Sequence, residues 1–418
     1  MGNYWHGISN EQLHSAELAL LRRGGLTHDQ IRIQDVKIPV LAYQYRKGQD
    51  YEHLYDEAEN FIHHIEIDIR DEDGTNQDQG KNLKKPTFIL LHGYGAGGAI
   101  FYKMIKDLGK YFRLFVVDLY GMGSSGRPQF PLQEACQSVQ EAEQFFIEAL
   151  QYWIVQVGIQ EKYYLAGHSF GGYIAAAYAL QYPHDIEKVF LISPIGMPEK
   201  PDEYGSQHFV RNFDKMAPSL AARLIYQMWQ RNYTPFHVLR WSGQLGTKRF
   251  LKSYMSTRLK KVSQQEEAQE ISHYLHQIFL RPACGEYALN CILQVGAFAR
   301  QPLIYRLPTF NEIENAPKVV FIYGDTDWTD PSHAMMLLQS EYQGLKNAEL
   351  HIVEGSGHHL YADNPASLIS KILIEAFDNR KAENYLKVKE IELNGILEGE
   401  PVDIDQIEEQ LLLHQHQS

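Results

Sequence analysis

One serine has the neighbours of a catalytic nucleophile. Residues 167–171 read GHSFG, the pattern G-x-S-x-G, between an apolar run that ends at Ala166 and a helical pattern that begins near Gly172. A serine in this pattern lies on a sharp turn between a strand and a helix, where flanking glycines avoid collisions with the backbone. The N-terminus of the following helix directs N–H groups at a developing oxyanion. This context predicts that Ser169 attacks an acyl carbon.

A serine hydroxyl needs a general base, and the base needs a carboxylate to orient it. In this type of site the acid follows the serine along the chain, and the histidine follows the acid. The apolar run 319–323 is followed by a loop that contains Asp327, and the run 350–353 is followed by a loop that ends at His358. We therefore predict a Ser169, Asp327 and His358 triad.

Each partner has a competitor nearby in the chain. Asp327 is preferred to Asp325 because it lies three residues after Gly324 and four before Pro331, the usual place of the acid in such loops. Asp325 is expected to order the turn. His359 competes with His358, since adjacent side chains point in different directions and only one of them can face the serine.

The oxyanion hole is predicted to combine two backbone N–H groups. One belongs to Phe170, directly after the nucleophile, and the other to Tyr94 in the glycine-rich loop 92–98. A phosphate-binding loop is the alternative for 92–98, but it lacks G-x-G-x-x-G spacing and a following Lys-Ser/Thr pair. His92 is expected to order this loop through hydrogen bonds.

Strand-like and helical patterns alternate along most of the chain. This alternation predicts an α/β protein with a mostly parallel, doubly wound sheet. Helical patterns predominate in residues 196–305, which we expect to form an inserted helical cap over the carboxyl edge of the sheet. The predicted organisation is therefore a core formed by residues 1–195 and 306–380, with the cap at 196–305 and an acidic C-terminal tail at 381–418. Strands are predicted at 31–36, 40–45, 87–91, 114–118, 163–166, 189–192, 319–323 and 350–353.

Composition excludes several classes of function. A formal net charge of −13 argues against nucleic acid as a partner. No run of roughly 18 apolar residues is present, and the N-terminus lacks a signal-peptide pattern, so a cytoplasmic protein is expected. The three cysteines, Cys136, Cys284 and Cys291, form no metal-binding pattern and are predicted to be reduced. Neither a metal ion nor a cofactor is expected.

Longer motifs identify a family. DLYGMGSSGRP (118–128), GEYALNCILQVGAFARQPL (285–303) and GHHLYADNP (357–365) resemble the α/β-hydrolase-domain 4/5 subfamily. The resemblance implies an α/β-hydrolase fold and action on phospholipids as lysophospholipase, N-acyl-phosphatidylethanolamine hydrolase or lysophosphatidate acyltransferase. One branch coactivates a lipase on lipid droplets and carries asparagine in place of the nucleophile. The serine at position 169 favours catalysis, and a single N-terminal tryptophan, Trp5, differs from that branch's tryptophan-rich anchor.

The resemblance also brings an H-x4-D pattern that has been linked to acyl transfer, matched here by His358 and Asp363. Because His358 already serves the triad, and Asp363 precedes the helix start Asn364-Pro365, the simpler interpretation of Asp363 is helix capping or loop ordering. Acyl transfer through this motif is the alternative.

A basic stretch lies within the predicted cap. Ten basic residues and no acidic residue occur between Asp214 and Glu266, interleaved with aromatic residues. Such a stretch suits an anionic membrane or lipid-droplet surface, and the alternative is pairing with the acidic hydrolase core. The candidates for membrane contact, here called the basic cluster, are Lys248, Arg249 and Lys252. The sequence indicates a lipid as substrate and identifies no protein partner.

Overall fold

An eight-stranded sheet forms the centre of the computed structural model, which describes residues 8–39, 58–67, 69, 85–128, 130, 138–199, 227–229, 231–294, 296–339 and 344–398. The spatial order is β1-β2-β4-β3-β5-β6-β7-β8. β1 and β2 are antiparallel to their neighbours, and β3 to β8 are parallel. The strands are β1 (Ile31–Lys37), β2 (Phe61–Ile67), β3 (Thr87–Leu91), β4 (Arg113–Val117), β5 (Tyr163–His168), β6 (Ile186–Ile192), β7 (Lys318–Gly324) and β8 (Ala348–Val353).

Helices cover both faces of this sheet, as the alternating pattern predicts. Side chains of β3 alternate between two cores: Ile89 and Leu91 face one, and Phe88 and Leu90 face the other. Because each face carries its own apolar layer, the central strand β3 is buried over its whole length. The helices are α1 (Asn10–Arg23), α2 (Tyr102–Tyr111), α3 (Val139–Gln156), α4 (Phe170–Gln181), α5 (Pro235–Arg258), α6 (Gln265–Phe279), α7 (Tyr287–Ile292), α8 (Leu303–Arg306), α9 (Ser332–Leu338), α10 (Leu360–Asp363), α11 (Pro365–Ala376) and α12 (Asn379–Glu398).

Sequence reasoning missed one interior strand, β2. Its sequence FIHHIEI contains three titratable residues, which obscure the apolar pattern of a buried strand. Each of them has a polar partner: His63 contacts Glu17, His64 accepts from the indole N–H of Trp153, and Glu66 pairs with the half-buried Arg113. These contacts satisfy polar groups that would otherwise oppose burial. The predicted strand at 40–45 lies outside the described residues.

Four of the described helices, α5 to α8, lie between β6 and β7; α5, α6 and α7 fall within the range predicted for the cap, and α8 crosses its end at residue 305. α5 contacts α6, and α6 contacts α1. The hydroxyl group of Tyr254 in α5 lies 3.0 Å from Nε2 of His359, so this helix reaches the loop after β8. The cap thus has contacts at the carboxyl end of the sheet, while its boundaries at residues 196 and 305 stay a prediction.

The predicted boundary at residue 380 falls inside α12. The hydroxyl of Tyr385 donates to Oδ2 of Asp107 at 3.1 Å, and Nζ of Lys389 lies 2.9 Å from the same oxygen. Ala382, Tyr385 and Val388 are buried. The first part of the predicted tail is therefore a helix that packs on α2, and residues 399–418 lie outside the described part of the chain.

The cysteines depart from the prediction at one position. Cys291 is disulfide-bonded, so the expectation that all three are reduced is wrong there. Spacing along the chain does not report proximity in space, which is why no pairing was visible. Cys284 is a free, buried thiol whose Sγ donates to the carbonyl oxygen of Pro128 at 2.8 Å. Cys136 lies outside the described residues.

Candidate active site

Ser169 occupies a strained turn between β5 and α4. Its φ of 56° and ψ of −115° lie outside the regions that L-residues ordinarily adopt. A Cβ atom at Gly167 would approach the carbonyl oxygen of Gly171 to 2.1 Å, and one at Gly171 would approach the carbonyl oxygen of His92 to 2.4 Å. Both glycines are therefore required for the close packing of this turn, and strain of this kind is concentrated at functional sites.

The three residues predicted as a triad lie together. Nε2 of His358 is 3.0 Å from Oγ of Ser169, and Nδ1 of His358 is 3.0 Å from Oδ1 of Asp327. Each residue follows the carboxyl end of a strand. The three residues lie close together because β5, β7 and β8 are parallel and end at one edge of the sheet. The arrangement provides a hydroxyl, a base within hydrogen-bond distance of it, and a buried carboxylate that orients the base.

Two further donors hold the carboxylate. The hydroxyl of Ser193, at the end of β6, donates to Oδ2 of Asp327, and the backbone N–H of Thr329 donates to Oδ1 at 2.9 Å. Burial alone would raise the pKa of Asp327, but the hydrogen bond and charge of His358 and these two donors outweigh it and lower the pKa. Asp327 is thus ionised and can stabilise a positive charge on His358.

A second histidine supports the loop of His358. Nε2–H of His168 donates to the carbonyl oxygen of His358 at 2.8 Å. Complete burial, followed by repulsion from His358 and His359, lowers the pKa of His168 well below its ordinary value. His168 is therefore a neutral hydrogen-bond donor that fixes the backbone of the base.

The competing histidine has other partners. Nδ1 of His359 lies 2.9 Å from the hydroxyl oxygen of Tyr361, and Nε2 lies 3.0 Å from that of Tyr254. Burial, with repulsion from the neighbouring His358, lowers the pKa of His359 to about 3. Both ring nitrogens point away from Ser169, so His359 links the core to α5.

The two competing aspartates order the loop that carries His358. Asp325 accepts from the backbone N–H groups of Gly355 and Ser356, at 2.8 and 2.9 Å. Asp363 accepts from the N–H of Gly357 at 2.9 Å, directly before the histidine. Helix α11 is capped instead by Asn364, whose side chain accepts from the N–H of Ser367 at 3.2 Å. Of the two interpretations offered for Asp363, the contacts match loop ordering.

The residues predicted for the oxyanion hole flank the serine. Phe170 is the first residue of α4, and the N–H groups of a helix's first turn have no acceptor within the helix. A Cβ atom at Gly93 would lie 3.0 Å from Cβ of Ser169, so the loop that contains Tyr94 lies directly against the nucleophile. The ring of Tyr94 stacks on Phe236 of α5 at 4.5 Å. The oxyanion role of the two N–H groups stays a prediction.

His92 orders the same loop. Its Nε2 accepts from the N–H of Leu119 at 3.0 Å, and its Nδ1–H donates to the carbonyl oxygen of Gly93 at 2.8 Å. Complete burial lowers the pKa of His92, despite the nearby charge of Asp118. A neutral imidazole with both nitrogens bonded to backbone fits the ordering role.

The basic stretch divides into paired and exposed cations. Arg240 pairs with the buried Glu286, and Nζ of Lys261 donates to the carbonyl oxygen of Gly355. The three side chains of the basic cluster are exposed on α5, close in sequence to Trp241 and Leu245, which are 65% and 77% exposed. Within the described ranges, no group of three metal-ligating side chains could hold an ion.

The chain matches known proteins in sequence and in fold. A family model described as the alpha/beta hydrolase fold matches residues 86–365. The chain belongs to the α/β-hydrolase family. The fold of this chain is shared with carboxylesterase CesB from Bacillus subtilis, which is 16% identical and aligns with a TM-score of 0.53 over 87% of this chain and 97% of that chain.

Three relatives of this chain support the 4/5 subfamily. The "Probable 1-acylglycerol-3-phosphate O-acyltransferase" of Oryza sativa subsp. japonica is 30% identical over 69% of this chain and 66% of that protein, just under two thirds of its length. The "(Lyso)-N-acylphosphatidylethanolamine lipase" of Bos taurus is 27% identical over 66% of this chain and 75% of that protein. The "1-acylglycerol-3-phosphate O-acyltransferase ABHD5" of Sus scrofa is 27% identical over 69% and 76%. The subfamily predicted from the motifs is confirmed.

Two positioning residues were not predicted, Ser193 and His168. Ser193 directly follows the apolar strand β6 and has a φ of 45°, while His168 lies inside the nucleophile motif itself. A polar residue at the carboxyl end of a parallel strand was the available signal in both cases. Their roles depend on contacts with residues 134 and 190 positions away in the chain.

Proposed function

We propose that this protein is a serine hydrolase that cleaves acyl bonds of lysophospholipids or N-acyl phospholipids through an acyl-enzyme. The observation that carries the proposal is the pair of 3.0 Å contacts that join Ser169, His358 and Asp327. His358 takes the proton of the Ser169 hydroxyl as the oxygen bonds to the acyl carbon. It then passes that proton to the leaving group, and the C–O or C–N bond of the substrate breaks.

The second half of the reaction uses the same groups. His358 removes a proton from water, the hydroxide oxygen bonds to the acyl carbon, and the Ser169 oxygen leaves with the returned proton. N–H groups of Tyr94 and Phe170 stabilise the oxyanion of each tetrahedral intermediate. No metal ion or cofactor has a role in this scheme.

A lipid substrate is supported by the relatives and by the surface of α5. The bovine relative is named as a lipase of N-acylphosphatidylethanolamine. The basic cluster and the exposed Leu245 and Phe250, all in the part of α5 after its kink at Gly243, combine cations with large apolar side chains, as surfaces that bind anionic bilayers do. Among the described helices, none is both long and apolar enough to cross a membrane. Contact with a membrane or lipid-droplet surface through the basic cluster is therefore part of the proposal.

The same site supports acyl transfer if a lipid hydroxyl replaces water in the second half. The rice and pig relatives carry acyltransferase names, which makes this the second candidate. A third is a lipid-binding lipase regulator whose triad is not used. The three candidates differ in what happens to an acyl group at Ser169.

A labelling experiment separates catalysis from regulation. Wild-type protein should react with a fluorophosphonate probe, Ser169→Ala should not, and Ser272→Ala on α6 should label like wild type.

Ser169→Ala and His358→Ala should each lower hydrolysis of lysophosphatidylethanolamine by several orders of magnitude, since triad residues act as a unit. Ordinary hydrolysis by purified Ser169→Ala would contradict the assignment. Adding lysophosphatidate during turnover and measuring phosphatidate against free fatty acid separates transfer from hydrolysis.

A further inference from the structure

A large groove lies between α5 and α6, outside the candidate active site. Its volume is about 860 Å³, within the range of small-molecule sites, about 300–1,000 Å³. None of Ser169, Asp327 or His358 lines it. Tyr254 contacts the His359 loop from the same helix, whereas the groove is lined by the adjacent Met255. The groove is thus formed by a different face of α5.

The floor of the groove is an apolar strip. The buried Leu251, Met255 and Leu259 line it from α5 and its C-cap, with Val262 in the connection to α6 and Ala268 on α6. The three α5 positions are four residues apart, so they follow one another along one helix face. Eight residues of helix extend about 12 Å, which makes the strip long and narrow. Such a floor fits one extended hydrocarbon chain.

The rim of the groove is basic. Lys248, Lys252 and Lys260 line it, together with His273, and no carboxylate is among its described lining residues. The three acidic side chains of α6 contact cations outside the groove: Glu267 pairs with Lys103, and Glu266 and Glu270 lie next to Arg23. The charge of the rim is therefore not balanced within the described part of the chain, and an anionic group on the ligand would balance it.

We infer that the groove between α5 and α6 binds a single-chain anionic amphiphile, a long-chain fatty acid, with its chain on the apolar strip and its carboxylate at Lys248 and Lys252. The inference does not depend on the triad being catalytic. It also differs from membrane docking in one testable respect. Arg249 is exposed, as Lys248 and Lys252 are, but does not line the groove, so its replacement should affect membrane contact and not this ligand.

The test uses cis-parinaric acid, a fluorescent fatty acid, with full-length protein and no vesicles, below the micelle concentration. Wild type should bind it saturably. Lys248→Gln combined with Lys252→Gln should weaken binding on the order of two- to thirtyfold, as expected for two exposed ion pairs. Arg249→Gln, the matched control, should change binding less than about twofold. The methyl ester of the probe should bind wild type and the double variant equally.

A second pair of variants tests the apolar part. Ser272 lines the groove, and Ser272→Trp should abolish saturable binding while Ser272→Ala keeps it. Circular dichroism and the thermal midpoint establish that both variants are folded, and the lysine variants give an independent answer if the tryptophan variant is not. Equal affinity of wild type, Ser272→Trp and the lysine double variant would overturn the inference. It would mean that the probe binds elsewhere, or that another part of the chain fills the groove.

Discussion

Replacing Asp327 by asparagine removes a negative charge from the triad and keeps the shape of the side chain. The backbone N–H of Thr329 donates to Oδ1 at 2.9 Å, so the amide oxygen is held at that position, where it still accepts from Nδ1–H of His358. The amide NH2 then faces Ser193, whose hydroxyl can also accept. We expect Asp327→Asn to keep the orientation of the base and to lose only the charge.

The size of the effect follows from the 3.0 Å distance between Nδ1 of His358 and Oδ1 of Asp327. Two unit charges at that separation interact by about 5 kcal/mol at an effective dielectric constant of about 20. The interaction exists only when His358 is protonated, as it is in the transition state. Losing it should lower kcat/KM by on the order of 10³–10⁴-fold, since about 1.4 kcal/mol corresponds to one power of ten.

The assay is hydrolysis of a short, water-soluble ester at fixed pH, with Asp325→Asn as the matched control. Asp325 accepts from two backbone N–H groups and does not contact His358, so its replacement should cost less than about tenfold. A loss of less than tenfold in Asp327→Asn would refute the electrostatic argument. A larger loss in Asp325→Asn than in Asp327→Asn would show that the acid is wrongly assigned.

The other predictions concern the loop of His358, the membrane and the N-terminal helix. Asp363→Ala should lower hydrolysis and acyl transfer by one common factor, on the order of tenfold, because Asp363 holds the N–H of Gly357; a selective loss of lysophosphatidate acylation would contradict this. Reversing the basic cluster to glutamate should weaken sedimentation with anionic vesicles by tens of fold, at about 1 kcal/mol per cation, and should reduce activity on vesicles more than on a soluble ester; equal binding of wild type and variant to anionic and neutral vesicles would count against membrane contact. Glu17→Gln should cost about 1.5–3 kcal/mol of unfolding free energy, because the buried His63 loses the charged hydrogen bond to Glu17 and keeps Asp35 as its acidic partner. Burial lowers the pKa of His63, but Glu17 and Asp35 outweigh it and raise that pKa well above 6.5. The protonated ring thus stabilises the fold below pH 6.5, and this contribution is lost as pH rises through the folded-state pKa. The difference in urea stability between wild type and His63→Gln should therefore shrink as pH rises from neutral, and a constant difference would show that the ring is not charged.

The positions of the parallel strands could be predicted well from the sequence. Parallel strands buried on both faces are continuous apolar runs, so β3 was predicted with both ends correct and the other parallel strands to within three residues. The sequence did not reveal β2, because buried polar pairs interrupt the apolar pattern of that strand. It also did not reveal the disulfide of Cys291, because cysteine pairing depends on distance in space.

The grouping of the three site residues could be predicted from the chain. Ser169, Asp327 and His358 each follow a strand, and parallel strands end at one edge, so local pattern and topology suffice to predict their proximity. The side chains that hold the acid and the base became visible in the folded structure. Ser193 donates to the carboxylate of Asp327, 134 residues away in the chain. His168 donates to the carbonyl oxygen of His358, 190 residues away. Such contacts arise from how strands pack side by side, and single-residue types along the chain carry no record of that packing.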